Sequence, residues 1–184
     1  MVEFEKRAAR KGDFPFTDFE RVRNTIKADM EAFLVSAPPL NYIIHGDLWF
    51  SNIMMLKREF KLFDMRGRFN DKLSVKGHRV YDWAKIYQSI LGLDAVIDYG
   101  TAVDTKVQRE TVDTFWHHLL SKGFIQPEDR TTIVKLTGYL IFNTFHAYDE
   151  TFPVHKKQMI WNLVKACVEM PQIPLEENKL HVGL

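Results

Sequence analysis

Asp47, Asn52 and Asp64 are the residues whose types and spacing suit chemistry. The first two lie in the run His45-Gly46-Asp47-Leu48-Trp49-Phe50-Ser51-Asn52, and the third lies in Phe63-Asp64-Met65-Arg66-Gly67. In phosphoryl transfer a protein mainly positions groups and neutralises charge. One carboxylate orients an acceptor hydroxyl and takes its proton, while an amide oxygen and a second carboxylate hold Mg²⁺ against the nucleotide phosphates. Asp47 is then the base. Asn52, five residues on, and Asp64, twelve further, are the metal ligands. An oxygen-only donor set suits a hard ion that keeps several waters.

Short apolar runs must position these groups. Tyr42-Ile43-Ile44 leads into the polar loop, Ile53-Met54-Met55-Leu56 leads out of it, and Lys61-Leu62-Phe63 delivers Asp64. All three read as β-strand-like, with Lys57-Arg58-Glu59 as the turn between the second and third. Residues 66–79 lack helical or strand periodicity and contain Gly67 and Gly77, so a mobile loop beside the metal site is expected. Within it, Arg66 is a candidate phosphate contact. A helix opens at Val80, with Trp83, Ile86, Tyr87, Ile90 and Leu91 on its apolar face. Asp82 stands near its start, where a carboxylate is favoured by the free backbone N–H groups. His45 is expected to support the loop from behind.

These three motifs, with Tyr81-Asp82-Trp83-Ala84-Lys85 as the last, resemble the C-terminal lobe of the aminoglycoside phosphotransferase and choline kinase family, distant relatives of the protein kinases. The likeness covers about residues 41 to 92 and is strongest to the branch found among capsular polysaccharide biosynthesis proteins. That branch has proline where Met65 stands here. The resemblance implies a catalytic base at Asp47, magnesium ligands at Asn52 and Asp64, and a brace for the catalytic loop at Asp82. It further implies ATP or another nucleotide as co-substrate and a hydroxyl of a small metabolite as acceptor, such as a sugar of surface-polysaccharide synthesis. The acceptor pocket of the family is built from C-terminal helices, which makes His146 and Asp149 candidates for it.

A kinase of this family also has an N-terminal lobe, with a nucleotide-covering loop and a strand lysine that pairs with the phosphates. Neither is legible here. Gly12 is the sole glycine before the catalytic loop, and Lys6 and Lys11 stand in no strand-like context. A metal site without that clamp binds nucleotide weakly and leaves the transferring group open to water. Three explanations follow: a C-terminal piece of a longer protein, an N-lobe supplied by another polypeptide, or a degenerate domain. Uncovered apolar surface would invite an N-lobe-bearing partner or self-association over the open face.

The 184 residues suffice for one domain with a substantial core. Hydrophobic content is 46%, charged content 27% and net charge +1, which gives no overall field favouring nucleic acid or an anionic membrane. Cys167 is the only cysteine, so an intramolecular disulfide and a cysteine metal cluster are excluded. No signal-peptide core or transmembrane-length apolar run is present, and a soluble cytoplasmic protein is expected.

An α+β, mainly α-helical single domain is therefore expected: a protein-kinase-like C-terminal lobe with a small catalytic sheet and no N-terminal lobe. Residues 1–16 read as an irregular lead-in that Phe14 and Phe16 pin to the body. Residues 17–36 read as a helix opened by a Thr17–Glu20 capping box and stopped before Pro38-Pro39. The catalytic core spans 41–92, and a connection through Asp94 and Asp98 follows it. A helical substrate-side part spans 105–171, with helices over about 105–121, from Pro127 to about 147, and from near Pro153. Residues 175–184 form a tail.

His117 and His118 are adjacent and diverge on a helix, which argues against shared zinc. Trp49 and Phe50 lack the basic stripe of a nucleic-acid platform. Ser51 is in no nucleophile elbow. Two other functions compete: a non-catalytic kinase-like module, favoured by the missing lysine and glycine-rich loop, and a metal-dependent phosphohydrolase using Asp47, Asp64 and Asp82, which lacks the further ligands such enzymes need.

Overall fold

Phe19, Val22, Ile26 and Met30 recur at three- and four-residue steps, and the helix they predict forms as α1 (Phe19–Ser36) with all four buried. The computed structural model describes residues 16–36, 42–69, 72–145 and 151–169. The start of α1 differs from expectation. Val22 N–H bonds to the Asp18 carbonyl, so Asp18 rather than Thr17 precedes the first turn. Its carboxylate turns to the body, accepting from Trp161 Nε1 at 2.9 Å and pairing with Lys165 at 3.1 Å. A buried indole N–H needs an acceptor, and only a distant residue supplies one.

Five further helices follow among the described residues: α2 (Tyr81–Ile90), α3 (Leu93–Tyr99), α4 (Thr105–Ser121), α5 (Asp129–Thr144) and α6 (Val154–Glu169). Helix α5 is central, packed between α2 and α6, and α1 lies across α5 and α6. Accordingly α5 is apolar on more than one side, burying Ile133, Val134, Leu136, Leu140, Ile141 and Phe142. Small residues let its neighbours approach. Thr137 Oγ1 donates to the Ala84 carbonyl of α2 at 3.1 Å, and a Cβ on Gly138 would stand 2.9 Å from Cys167 Cβ of α6. Aromatic rings close one end: Phe16 stacks on Trp161 at 4.8 Å, with Phe19, Phe142 and Phe145 around them. Phe16 thus pins the lead-in to the body; Phe14 lies outside the described residues.

The region expected to be a connection through Asp94 and Asp98 is helical. α3 is bounded by Gly92 and Gly100 at φ +93° and +68°, left-handed positions that break the chain direction on either side of a seven-residue helix. Two turns are too few for periodicity to announce them. Helix α5 is described only to Thr144, so the expected continuation toward residue 147 falls largely outside the described residues.

Among the described residues, the small sheet expected around the site is instead three separate antiparallel ladders of two strands. β1 (Tyr42–Ile43) pairs with β6 (Lys76–Gly77), β2 (Ile53–Leu56) with β3 (Glu59–Leu62), and β4 (Arg68–Phe69) with β5 (Lys72–Leu73). Residues 66–79 are thus not the featureless loop expected. Two-residue strands carry no alternation for sequence to show. The β2–β3 turn is Lys57-Arg58 alone, with φ of +48° and +70°, and Glu59 is already paired with Leu56. A two-residue hairpin loop needs such positive φ values, which usually bring Asn-Gly. No helix is long and apolar enough to cross a membrane among the described residues.

Candidate active site

The loop from His45 to Asn52 is laid along one stripe of α2. Asp82 accepts from His45 N at 2.7 Å and Gly46 N at 2.9 Å through its two carboxylate oxygens. One turn further, Lys85 Nζ stands 2.8 Å from Asp47 Oδ1. A turn beyond that, Ser89 Oγ accepts from Phe50 N at 3.0 Å. Positions 82, 85 and 89 share a helix face, so successive rungs of α2 meet successive residues of the loop. Hydrogen bonds to a charged group contribute roughly 1.5–3 kcal/mol each, which makes the Asp82 pair the strongest tie.

Asp64 is brought to the same loop by its neighbours' backbones. Phe63 N donates to the Asn52 carbonyl at 3.2 Å and Arg66 N to the His45 carbonyl at 2.8 Å. The segment carrying Asp64 thus bridges both ends of the loop. Asp64 itself takes φ +59° and is exposed, a conformation that most side chains avoid. Gly46 has φ +80°, and a Cβ there would meet Arg66 Cβ at 2.9 Å, so this turn requires glycine. Asn52 is buried, 6% exposed, and its Nδ2 donates to the Asp47 carbonyl at 2.8 Å. That bond spends the amide nitrogen within the loop and leaves Oδ1 as the end available to a cation.

Around Asp47 the field is mixed. Arg66 Nη2 is 4.0 Å from Asp47 Oδ1, and Arg66 Nη1 donates to Tyr81 Oη at 3.2 Å. Burial raises the Tyr81 hydroxyl pKa, with Arg66 opposing it. Burial likewise raises the Asp94 carboxyl, against the opposing pull of Ser89 and Lys85. The Lys85 charge therefore acts on two carboxylates, Asp47 in the loop and Asp94 on α3. His45 is 4% exposed, and neither ring nitrogen has a hydrogen-bond partner among the described residues. The ties of this residue to the site are made by its backbone, the N–H to Asp82 and the carbonyl to Arg66 N.

Asp47, Asn52, Asp64, Asp82, His45 and Arg66 are thus gathered on one loop and its supports. His146 and Asp149 lie outside the described residues. No group of three or more His, Cys, Asp and Glu side chains converges as a metal cluster among the described residues. Asn52 and Asp64 supply at most two protein ligands, the number a magnesium ion takes when phosphates and waters complete its shell. Sequence reasoning missed Lys85, Ser89 and Asp94. The spacing Asp82-x-x-Lys85-x-x-x-Ser89 on a helix was the available signal for two of them; Asp94 left none. Comparison with protein-family models, curated proteins and solved structures finds no match to the chain.

Proposed function

We propose that the chain carries the catalytic half of an ATP- and Mg²⁺-dependent phosphotransferase acting on a hydroxyl of a small metabolite. The observation that carries this reading is the double backbone bridge, Phe63 to Asn52 and Arg66 to His45, which joins Asp64 to the loop of Asp47 and Asn52. In the reaction, the acceptor oxygen attacks the γ-phosphorus, the bond to the β–γ bridging oxygen breaks, and ADP leaves. The hydroxyl proton passes to Asp47. Asn52 Oδ1 and the Asp64 carboxylate are the groups to hold magnesium, which would draw charge from the phosphate oxygens. Arg66 stands where a phosphate contact is useful, and a sugar of surface-polysaccharide synthesis is the acceptor class the resemblance points to. Supply of ATP makes the cytoplasm the place of action.

The partner follows from the β part. Ile43, Met55, Phe60 and Leu73, spread over its three ladders, are largely exposed, and exposed apolar side chains in this number favour a cover. Seven Lys and Arg stand against four Asp and Glu between residues 42 and 77, which disfavours a second copy on this face and favours an N-lobe-bearing partner with an acidic rim. The same uncovered surface is what favours a second reading, a non-catalytic module bound through it.

Calorimetric titration with ATP, with and without Mg²⁺, tests the first reading. Magnesium-dependent binding that Asp64→Asn loses is the expected result, with Asp47→Ala retaining binding and losing transfer. Absence of magnesium-dependent binding, with a partner held and no turnover, would instead support the second.

A further inference from the structure

We propose that Lys85 is a positioning residue for Asp47: the middle rung of the Asp82–Lys85–Ser89 stripe, it fixes the direction of the Asp47 carboxylate. The kinetic consequence rests on the phosphotransfer reading; the positioning itself does not.

Backbone ties alone leave the Asp47 side chain undetermined. Asp82 holds the amides of His45 and Gly46, Ser89 holds that of Phe50, and Asn52 Nδ2 holds the Asp47 carbonyl. Each of these fixes main chain, and an aspartate on a fixed main chain still has three staggered χ1 wells. Lys85 is the contact that selects among them, meeting Oδ1 at 2.8 Å. Arg66, the other cation near Asp47, also approaches Oδ1 and stands farther off at 4.0 Å. Both cations thus address one oxygen, which leaves Oδ2 for the acceptor hydroxyl.

Lys85 is itself held. Its side chain is 12% exposed, against 28% for Asp47, so the pair is shielded in a way that surface ion pairs are not. The Lys85 charge also acts on Asp94, which lies on a helix that begins just after α2 ends, and lowers the pKa of that carboxyl against the effect of burial. The apolar packing of α2 is made by Tyr81, Trp83, Ala84, Ile86, Tyr87 and Ile90, and Lys85→Met keeps an unbranched chain of similar length beside it. Removing the charge should therefore leave the fold standing.

The test compares wild type, Lys85→Met and Lys85→Arg in the full chain. NMR three-bond couplings report the χ1 population of Asp47, and hydrogen exchange reports the amides of His45, Gly46 and Phe50. In Lys85→Met, Asp47 should average over rotamers while those amides exchange within about threefold of wild type; Lys85→Arg should restore a single rotamer. A single, unchanged Asp47 rotamer in Lys85→Met would overturn the proposal. So would uniform acceleration of all three amides, since Lys85 would then be a general support of the loop. With Mg·ATP as the probe and water as acceptor, Lys85→Met should lower kcat by about 10²-fold with KM for ATP little changed, the signature of a misdirected group rather than lost binding. If wild type neither binds nor turns over Mg·ATP, the phosphotransfer reading fails, while the rotamer result still decides the role of Lys85.

Discussion

The helical body and the β part of this protein are built on opposite terms. Among the described residues, the buried apolar core runs from Phe19 to Val168 on the helices, their flanks and the α4–α5 connection at Ile125, and none of it comes from residues 42–77. The β part instead exposes its apolar side chains, with Phe60 71% and Met55 70% accessible, and holds the three non-glycine residues of positive φ among the described residues, Lys57, Arg58 and Asp64. The body is stabilised by its own burial. The β part keeps its shape through polar ties to α2, above all Asp82, and through ladder hydrogen bonds. A site can thus be carried by a region that has almost no core, provided a helix of the body fixes its loop.

That contrast can be broken most strongly in the core. Phe142 is fully buried against Phe19, Phe145 and Trp161, so Phe142→Ala should cost about 3–5 kcal/mol in urea unfolding. Phe60→Ala in the hairpin should stay within about 0.5 kcal/mol; comparable losses would mean that the two regions unfold on one footing. Next comes Gly138→Ala, which forces a methyl toward Cys167 and Val168 and should cost about 1–3 kcal/mol by overpacking α5 on α6.

Asp82→Ala acts at the seam between the regions. It strands the N–H groups of His45 and Gly46 at about 1–3 kcal/mol, and hydrogen exchange of those two amides should accelerate while core amides of α5 keep their protection. Smaller still is the double change Lys57→Asn with Arg58→Gly. It suits the positive φ values of the turn and should slow exchange in β2 and β3 by the equivalent of about 0.5–1 kcal/mol, leaving global unfolding unmoved.

A pH series sharpens the same boundary. His78, buried between β6 and α2, has its imidazole pKa lowered by burial first and by Arg79 second, with Asp129 opposing. The folded value lies below the ordinary 6.5, so the neutral ring belongs to the folded state. Its contribution is full above pH 6.5 and is lost as pH falls from there through the folded value. Unfolding free energy measured from pH 7 downward should therefore decline less in His78→Gln than in wild type.

Much of the body was legible because helices announce themselves locally. The apolar steps of α1 and α2 follow a period of 3.6, and Asp104 caps α4 by accepting from Lys106 N and Val107 N. The loop of Asp47 and Asn52 and the segment of Asp64, which backbone bonds join, also stood out as oxygen donors between apolar runs. Less legible were the ladders of residues 66–79 and helix α3, where segments are too short for any period to develop. The first turn of α1 misled, since Thr17 offered a local cap and Asp18 had a distant duty to Trp161.

The sequence by itself determined which residues could do chemistry, where the long helices run and which of their faces are apolar, because each of these depends on neighbours within a turn or two. Only the tertiary structure decided that Asp47 faces Lys85, that Asp82 and Ser89 hold the same loop, and that the β part stays outside the core. Those outcomes depend on pairings across distant stretches of chain. A lysine on a helix carries no mark of the carboxylate it will meet until the packing of α2 against α5 has fixed which way its stripe points.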